Sequence, residues 1–280
     1  MESKRTVRPI SPVVPYMGGK RRLAPSILPW IEACPHTCYV EPFIGMGGMF
    51  LSRRQAAAVE VINDISRDVA TFFRVVQRHY VPFLDYMRFQ VTSRAAFDRL
   101  VNTDPITLTD IERAGRFLYL QACAFGGKSR ARSFGVSPSG FHGFDLSRVG
   151  PLLDALHDRL SGIVVECLPY GDILQRWDAP NTLFYLDPPY WDCETDYGKG
   201  VFAREDFSRL AEILAAIEGR FVLSINDTPG VREAFRNFNF AVLDHTYSIA
   251  STGPTAVQEL LYYGPPGREW GLSGVQGALL

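Results

Sequence analysis

Lysine is nearly absent from this chain. The 29 basic residues are 25 Arg and four Lys, set against 30 acids, for a net charge of −1. That balance excludes a polycation that coats nucleic acid by charge alone. Cysteine is scarce as well: five residues, at 34, 38, 123, 167 and 193, an odd and scattered set. Such usage excludes a disulfide framework and fits reduced thiols. No run of eighteen apolar residues occurs, so no membrane-spanning helix is expected. The opening MESKRTVRPISPVVP lacks the apolar core of a signal peptide, and a cytoplasmic location is expected. There are no repeats and no low-complexity tracts. What remains is ordinary globular composition, 46% hydrophobic and 21% charged over 280 residues. A chain of that length buries about 75% of its unfolded surface and needs no metal or disulfide staple.

The charge that is present is segregated. Residues 1–22 sum to +5, and so do residues 113–148, which carry Arg113, Arg116, Lys128, Arg130, Arg132 and Arg148 against Asp145. Residues 166–206 hold nine acids against Arg176, Lys199 and Arg204, a local −6. The arginine excess is either codon bias or the planar fork that recognises phosphates and bases. Segregation allows a polyanion-binding surface and a separate cation-tolerant pocket on one molecule.

Patterning gives three regions. In the first, GGKRRLAPSILPWIEAC has a helical period interrupted by Pro25 and Pro29, predicting a kinked or broken helix. CYVEPF reads as a buried strand entering a Gly-rich turn, GMFLSRRQAAA as helical, and VEVIND as a second strand. Ser66 is placed to cap a helix that runs to about His79. Between about 80 and 160 helical patterns dominate. Thr109 with Glu112 has the capping-box signature for a helix reaching about Ala124. FGGKSRARSFGVSPSGFHGF then reads as a long loop or β-ribbon, a kind of segment that tends to be functional. From about 163 strands return: GIVVECL, TLFYLD, RFVLSI, FAVLDHTY and VQELLYY, with helices over 205–217 and 229–237 and an edge hairpin at the close. Strand–helix alternation on both sides of a helical block predicts an α/β sheet with an inserted lobe.

Two motifs carry chemistry. Asp187-Pro188-Pro189-Tyr190 directly follows TLFYL, and in an open α/β sheet ligands sit beyond the carboxyl ends of strands. Two prolines stiffen the backbone and leave carbonyls free to accept, Asp187 adds a carboxylate, and Tyr190 supplies a flat face. This set suits an amino group on a ring, or else is a strand-ending turn. Glu41-Pro42-Phe43-Ile44-Gly45-Met46-Gly47-Gly48 follows the strand CYV, where glycines permit a tight turn and close ligand approach. Asp64 stands nineteen residues beyond Gly45, where an acid is placed to bind ribose hydroxyls. The pattern is neither the dinucleotide G-x-G-x-x-G nor a phosphate-binding loop. A nucleoside without a pyrophosphate fits it better, with a structural turn as the alternative.

Joined with Pro15-Tyr16-Met17-Gly18-Gly19-Lys20, Tyr39-Val40, Asn63, Leu223-Ser224-Ile225-Asn226-Asp227-Thr228-Pro229 and Glu259-Leu260-Leu261, these motifs resemble the Dam-like, alpha-class DNA adenine-N6 methyltransferases, in family order over residues 15–261. The resemblance implies a Rossmann-like sheet that uses S-adenosylmethionine, with residues 1–79 and 161–280 as catalytic and cofactor-binding domain and 80–160 as a mainly helical target-recognition lobe. By position, Tyr16 and Lys20 match the family's N-terminal cofactor motif. Glu41, Phe43, Gly45 and Gly47 match the cofactor loop, Asp64 the acid at the ribose, and Asp172 a contact to the cofactor's adenine. Asp187, Pro188, Pro189 and Tyr190 match the catalytic motif, with Asp187 beside the cofactor as well.

The implied reaction is direct transfer of a methyl group to N6 of an adenine flipped from double-stranded DNA. It asks for no metal. Cys34-Pro35-His36-Thr37-Cys38 lacks a second pair at zinc-site spacing. Cytosine C5 methylation needs a Pro-Cys nucleophile that this chain lacks, whereas cytosine N4 or RNA methylation, or a silent DNA-binding protein, are rival readings. Asp rather than Ser at 187 favours adenine. Lys128, Arg130 and Arg132 are the candidate phosphate or base contacts. Where well-known members read roughly Asn-Gly-Leu-x-Arg-Tyr-Asn, this chain has Phe125-Gly126-Gly127-Lys128-Ser129-Arg130, so the reaction carries over better than a GATC target. The shorter loop resembles phage and prophage relatives. The resemblance further implies a monomer in a bacterial or phage-infected cell, with any restriction endonuclease partner acting separately.

Overall fold

The computed structural model describes residues 5–16, 18–124, 133–135, 143–194, 200–249 and 253–267, with backbone alone at 244–249 and 253–257. The chain opens with β1 (Arg5–Thr6), α1 (Ala24–Ala33), β2 (Cys38–Glu41), β3 (Gln55–Ala56), β4 (Val59–Asn63) and α2 (Arg67–Arg78). Four helices follow, α3 (Tyr80–Met87), α4 (Arg94–Asn102), α5 (Asp110–Cys123) and α6 (Leu146–Arg159). Alternation then resumes with β5 (Val164–Glu166), α7 (Tyr170–Trp177), β6 (Thr182–Leu186), α8 (Arg204–Ala216), β7 (Arg220–Asn226) and α9 (Pro229–Ala234). The hairpin β8 (Asn239–Ile249) and β9 (Gly253–Gly264) closes the fold.

Seven strands form one sheet in the order β5-β4-β2-β6-β7-β9-β8. The first five are parallel, β9 is antiparallel to β7, and β8 is antiparallel to β9. This is the Rossmann-like α/β sheet expected from the sequence. β2 and β6 are buried along their whole length, as central parallel strands covered on both faces must be. Successive residues face opposite ways. Tyr39, Leu183, Tyr185 and Val222 join one core with α1, α2 and α5, while Val40, Phe184, Leu186 and Leu223 join the other with α7, α8 and α9. From β2 the chain steps outward through β4 and β5, then returns to β6 on the other side of β2. The crevice at that reversal is where open α/β sheets bind ligands. Glu41 ends β2 and Asp187 follows β6, so the topology brings the two sequence motifs to one place.

The helical block 80–160 is built onto the first of these cores. Phe72 of α2 meets the rings of Phe83 and Phe117 at 6.3 and 5.7 Å. The capping box predicted for α5 is present, Thr109 and Glu112 exchanging side-chain and backbone hydrogen bonds. Beyond α5 an antiparallel bridge joins Ala124 to Phe134. Lys128, Arg130 and Arg132 lie outside the described residues.

Two local expectations are corrected and one helix is added. GMFLSRRQAAA is not a helix: a short 3-10 turn at Phe50–Ser52 leads into β3, which pairs with β1. Arg53 is drawn into the interior by Glu60 and the Tyr39 ring, 3.6 Å from its guanidinium, and that tertiary demand overrides the local period. Ser66 precedes α2 but makes no side-chain cap; Asp64 accepts its N–H instead. α7 was missing from the sequence reading, since eight residues give too few turns for a periodic signal. Among the described residues no helix is long and apolar enough to cross a membrane.

Candidate active site

β2 ends on Glu41, and the chain then turns away from the sheet. Gly45 and Gly47 take φ of 49° and 75°, a region strained for residues with a Cβ. A Cβ on Gly45 would also stand 3.2 Å from two carbons of the Tyr16 ring, and one on Gly48 would stand 3.1 Å from the Lys20 backbone nitrogen. The bare glycines therefore let the Tyr16–Lys20 segment lie on the turn. Asp64 pins the turn from β4: Oδ2 accepts from Gly45 N–H at 3.0 Å and Oδ1 from Ser66 N–H at 2.8 Å. Burial pushes its carboxyl up to about 6, against those two bonds. Asn63 donates to the carbonyls of Pro42 and Leu168 at 2.9 and 3.0 Å, tying the turn to the β5–α7 link. Glu41 is buried and accepts from the Tyr39 hydroxyl at 2.6 Å. Burial pushes its carboxyl up to about 8, against the Tyr39 hydrogen bond and the Arg53 charge.

The neighbouring strand end holds a compact charged group. Lys20 is 3% exposed, and its Nζ donates to Asp187 Oδ1 at 2.5 Å. Glu259 Oε1, from β9, lies 3.5 Å from the same ammonium, and the Tyr190 ring centroid 4.4 Å from it. Burial acts to discharge Lys20, but Asp187 and Glu259 outweigh it and raise its pKa above the ordinary value. Burial likewise raises Asp187 to about 6, with Lys20 opposing. Tyr190 donates its hydroxyl to Glu259 Oε2 at 2.7 Å. The loop continues into Trp191, whose N–H and carbonyl are both held by the Asn226 side chain at 3.0 and 3.1 Å. Trp191 rests on Gly230, where a Cβ would come within 2.0 Å of the ring. Lys20 and Asp187 border a cleft of about 1090 Å³ that is also lined by Tyr16, Glu41, Phe43, Gly45, Asp64, Tyr170, Tyr185 and Pro189, among others.

A family model described as D12 class N6 adenine-specific DNA methyltransferase matches residues 16–249. The chain belongs to this family. Its relatives include the Type II methyltransferase M.CviBI of Paramecium bursaria Chlorella virus NC1A, 22% identical over 233 residues, covering 82% of this chain and 88% of that protein. The DNA adenine methylase of Escherichia coli K12 is 26% identical over 253 residues, covering 82% of this chain and 87% of that one. The DNA N-6-adenine-methyltransferase of Escherichia phage P1 is 26% identical over 226 residues, 72% of this chain but 28% of the phage protein.

As an adenine-specific DNA methyltransferase the chain uses S-adenosylmethionine, the donor that its family implies, and the cleft fits that molecule. Its volume suits a nucleoside carrying an amino-acid tail, its Gly-rich floor admits close approach, and the buried carboxyls of Glu41 and Asp64 match a polar, partly cationic ligand. Phe43 and Tyr170 stack at 6.0 Å, with Phe202 against both, making one wall aromatic.

The structure brings Tyr16, Lys20, Glu41, Phe43, Gly45, Asp64, Asp187 and Pro189 to the cleft. Gly47 shapes the turn from behind, packed toward Leu51. Tyr190 meets the cleft through Lys20. Asp172 is not brought in: it is exposed on the first turn of α7, and Leu168, Pro169 and Tyr170 line the cleft there. Sequence reasoning did not assign Glu259, Tyr170, Phe202 or Tyr185 to the site. For Glu259 there was a signal, a lone acid opening the apolar run Leu260-Leu261. Among the described residues no three His, Cys, Asp or Glu cluster as metal ligands.

Proposed function

We propose that this methyltransferase moves a methyl group from S-adenosylmethionine to N6 of an adenine turned out of duplex DNA, by direct in-line displacement. The observation that carries it is Asp187, fixed by Lys20 through Oδ1 at the mouth of the cofactor cleft. Its Oδ2 has no protein donor among the described residues. Bound there, S-adenosylmethionine supplies an electrophilic methyl on a sulfonium. An aromatic amine is a weak nucleophile because its lone pair is delocalised into the ring. Asp187 Oδ2 and the Pro188 carbonyl accept hydrogen bonds from its two N–H groups, favour a pyramidal nitrogen and aim the lone pair across the cleft. The N–C bond forms as the methyl–sulfur bond breaks to a neutral thioether, and the surplus N6 proton passes to water or to Asp187. Tyr190 stacks the base. Positioning and preorganised charge provide most of the acceleration, and no step draws on a metal.

Tyr16, Lys20, Glu41, Phe43, Gly45, Gly47, Asp64 and Asp187 hold the donor in this reading. The lobe 80–160, with Lys128, Arg130 and Arg132, holds the DNA, and the enzyme works as a cytoplasmic monomer, apart from any restriction endonuclease. The test is transfer of labelled methyl from S-adenosylmethionine to unmethylated plasmid, wild type beside Asp187→Ala, followed by nucleoside analysis. The expected product is N6-methyladenine, reduced about 100-fold or more in the variant. Label in N4-methylcytosine, or an unimpaired variant, would overturn the reading.

A further inference from the structure

Glu259 is 3% exposed in the middle of β9 and belongs to neither sequence motif that defines the site. Its two oxygens serve different partners: Oε1 lies 3.5 Å from Lys20 Nζ, and Oε2 accepts from the Tyr190 hydroxyl at 2.7 Å. Directly across the antiparallel pair stands Asn226, which clamps the next residue of the same loop, Trp191, through both main-chain groups. One register position of β7 and β9 thus grips the catalytic loop twice, at a tyrosine hydroxyl and at the adjoining backbone.

We propose that Glu259 is a positioning residue for methyl transfer, its carboxylate bracing Tyr190 and Lys20 together so that the stacking face and the Asp187 acceptor keep one fixed geometry. The proposal rests on the proposed reaction. The physical case is that of a half-buried ring on two rotatable bonds. Packing alone leaves such a ring free to swing, and a hydrogen bond at its far end fixes the direction in which it points. Lys20 is likewise a flexible chain whose ammonium would follow Asp187 alone without a second anion. The groups facing this carboxylate are Lys20, Asp187, Tyr185 and Tyr190, with Glu41 beyond Asp187. Glu259 also adds negative charge near Asp187, which works against ionisation of that carboxyl.

Glu259→Gln keeps an acceptor for Tyr190 and removes the charge; Glu259→Ala removes both. With plasmid DNA, Glu259→Ala is expected to lose about tenfold or more in kcat while KM for DNA and donor stays within about threefold. Glu259→Gln is expected to recover most of that loss and to move the acid limb of the kcat profile to lower pH. Added to Tyr190→Phe, Glu259→Ala should cost less than it does in wild type. A merely structural role predicts equal cost in both backgrounds and no shift of the limb, and either result overturns the proposal. A readout independent of turnover uses the free protein labelled with fluorotyrosine. The Tyr190 signal, assigned by its loss in Tyr190→Phe, should move in Glu259→Gln. An unmoved signal would refute the brace whatever the activity, whereas a moved signal in a protein that methylates nothing would keep the brace and refute the reaction.

Discussion

Asp187 keeps 20% of its side chain exposed at the cleft, and partial burial lifts its carboxyl to about 6 even with an ammonium 2.5 Å away. Only the anion holds Lys20 through Oδ1 and still accepts from the target amine at Oδ2, so kcat should fall as pH drops through about 6. Lys20→Met removes the opposing positive charge and leaves Asp187 facing Glu259 alone. The folded carboxyl then rises further, and the acid limb of kcat against pH should move to higher pH. The same variant breaks a buried ion pair, at about 3–5 kcal/mol, and thermal melting should show the loss. A limb unmoved in Lys20→Met would mean that Asp187 does not set it. Residue identities at this centre were readable because each is chemically distinctive. Glu259 was legible only as the acid opening the Leu260-Leu261 run; that it faces Lys20 and Tyr190 was not, because strand pairing decides which partners a strand acid meets.

At the scale of elements, α5 shows what sequence reads well. The capping box at Thr109 and Glu112 is complete within four residues, so its recognition needed no tertiary information. Thr109→Ala should lower stability by about 1 kcal/mol, seen as a reduced denaturant midpoint, with methyl transfer at 25 °C unchanged because neither residue of the box lines the cleft. The misread stretch after the Gly-rich turn shows the opposite case. Its apolar spacing fits a helix, but β1 supplies a strand partner and Glu60 a buried counter-charge for Arg53. Both come from distant positions in the chain. Asp172 fails as a cleft residue for a related reason. Sequence placed it near the donor, but the first turn of α7 aims it at solvent and gives the wall to Tyr170, anchored to Asp206 at 2.6 Å.

Across the whole molecule, a near-neutral chain engages a polyanion by keeping its charges apart. The basic stretch 113–148 is split by fate. Arg113 and Arg116 are buried and turned toward Asp68, which removes them from any DNA surface. Lys128, Arg130 and Arg132 remain the proposed DNA contacts. Replacing Lys128 and Arg130 with alanine should weaken DNA binding and reduce the slope of log K against log salt by about 1.8 if each meets one phosphate. An unchanged slope in a binding titration would place the phosphate contacts elsewhere.

The sequence by itself determined the reaction class, the α/β architecture, the Gly-rich turn after β2 and the Asp-Pro-Pro-Tyr run after β6. Each is written in a short run of residues whose types admit few alternatives. Only the tertiary structure decided that Lys20 pairs with Asp187 across 167 positions, that Glu259 and Asn226 grip the catalytic loop from adjacent strands, and which arginines are spent inside. Those outcomes depend on strand order and register. A parallel sheet that reverses between β2 and β6 brings together groups no local pattern connects, and burial there sets their charge.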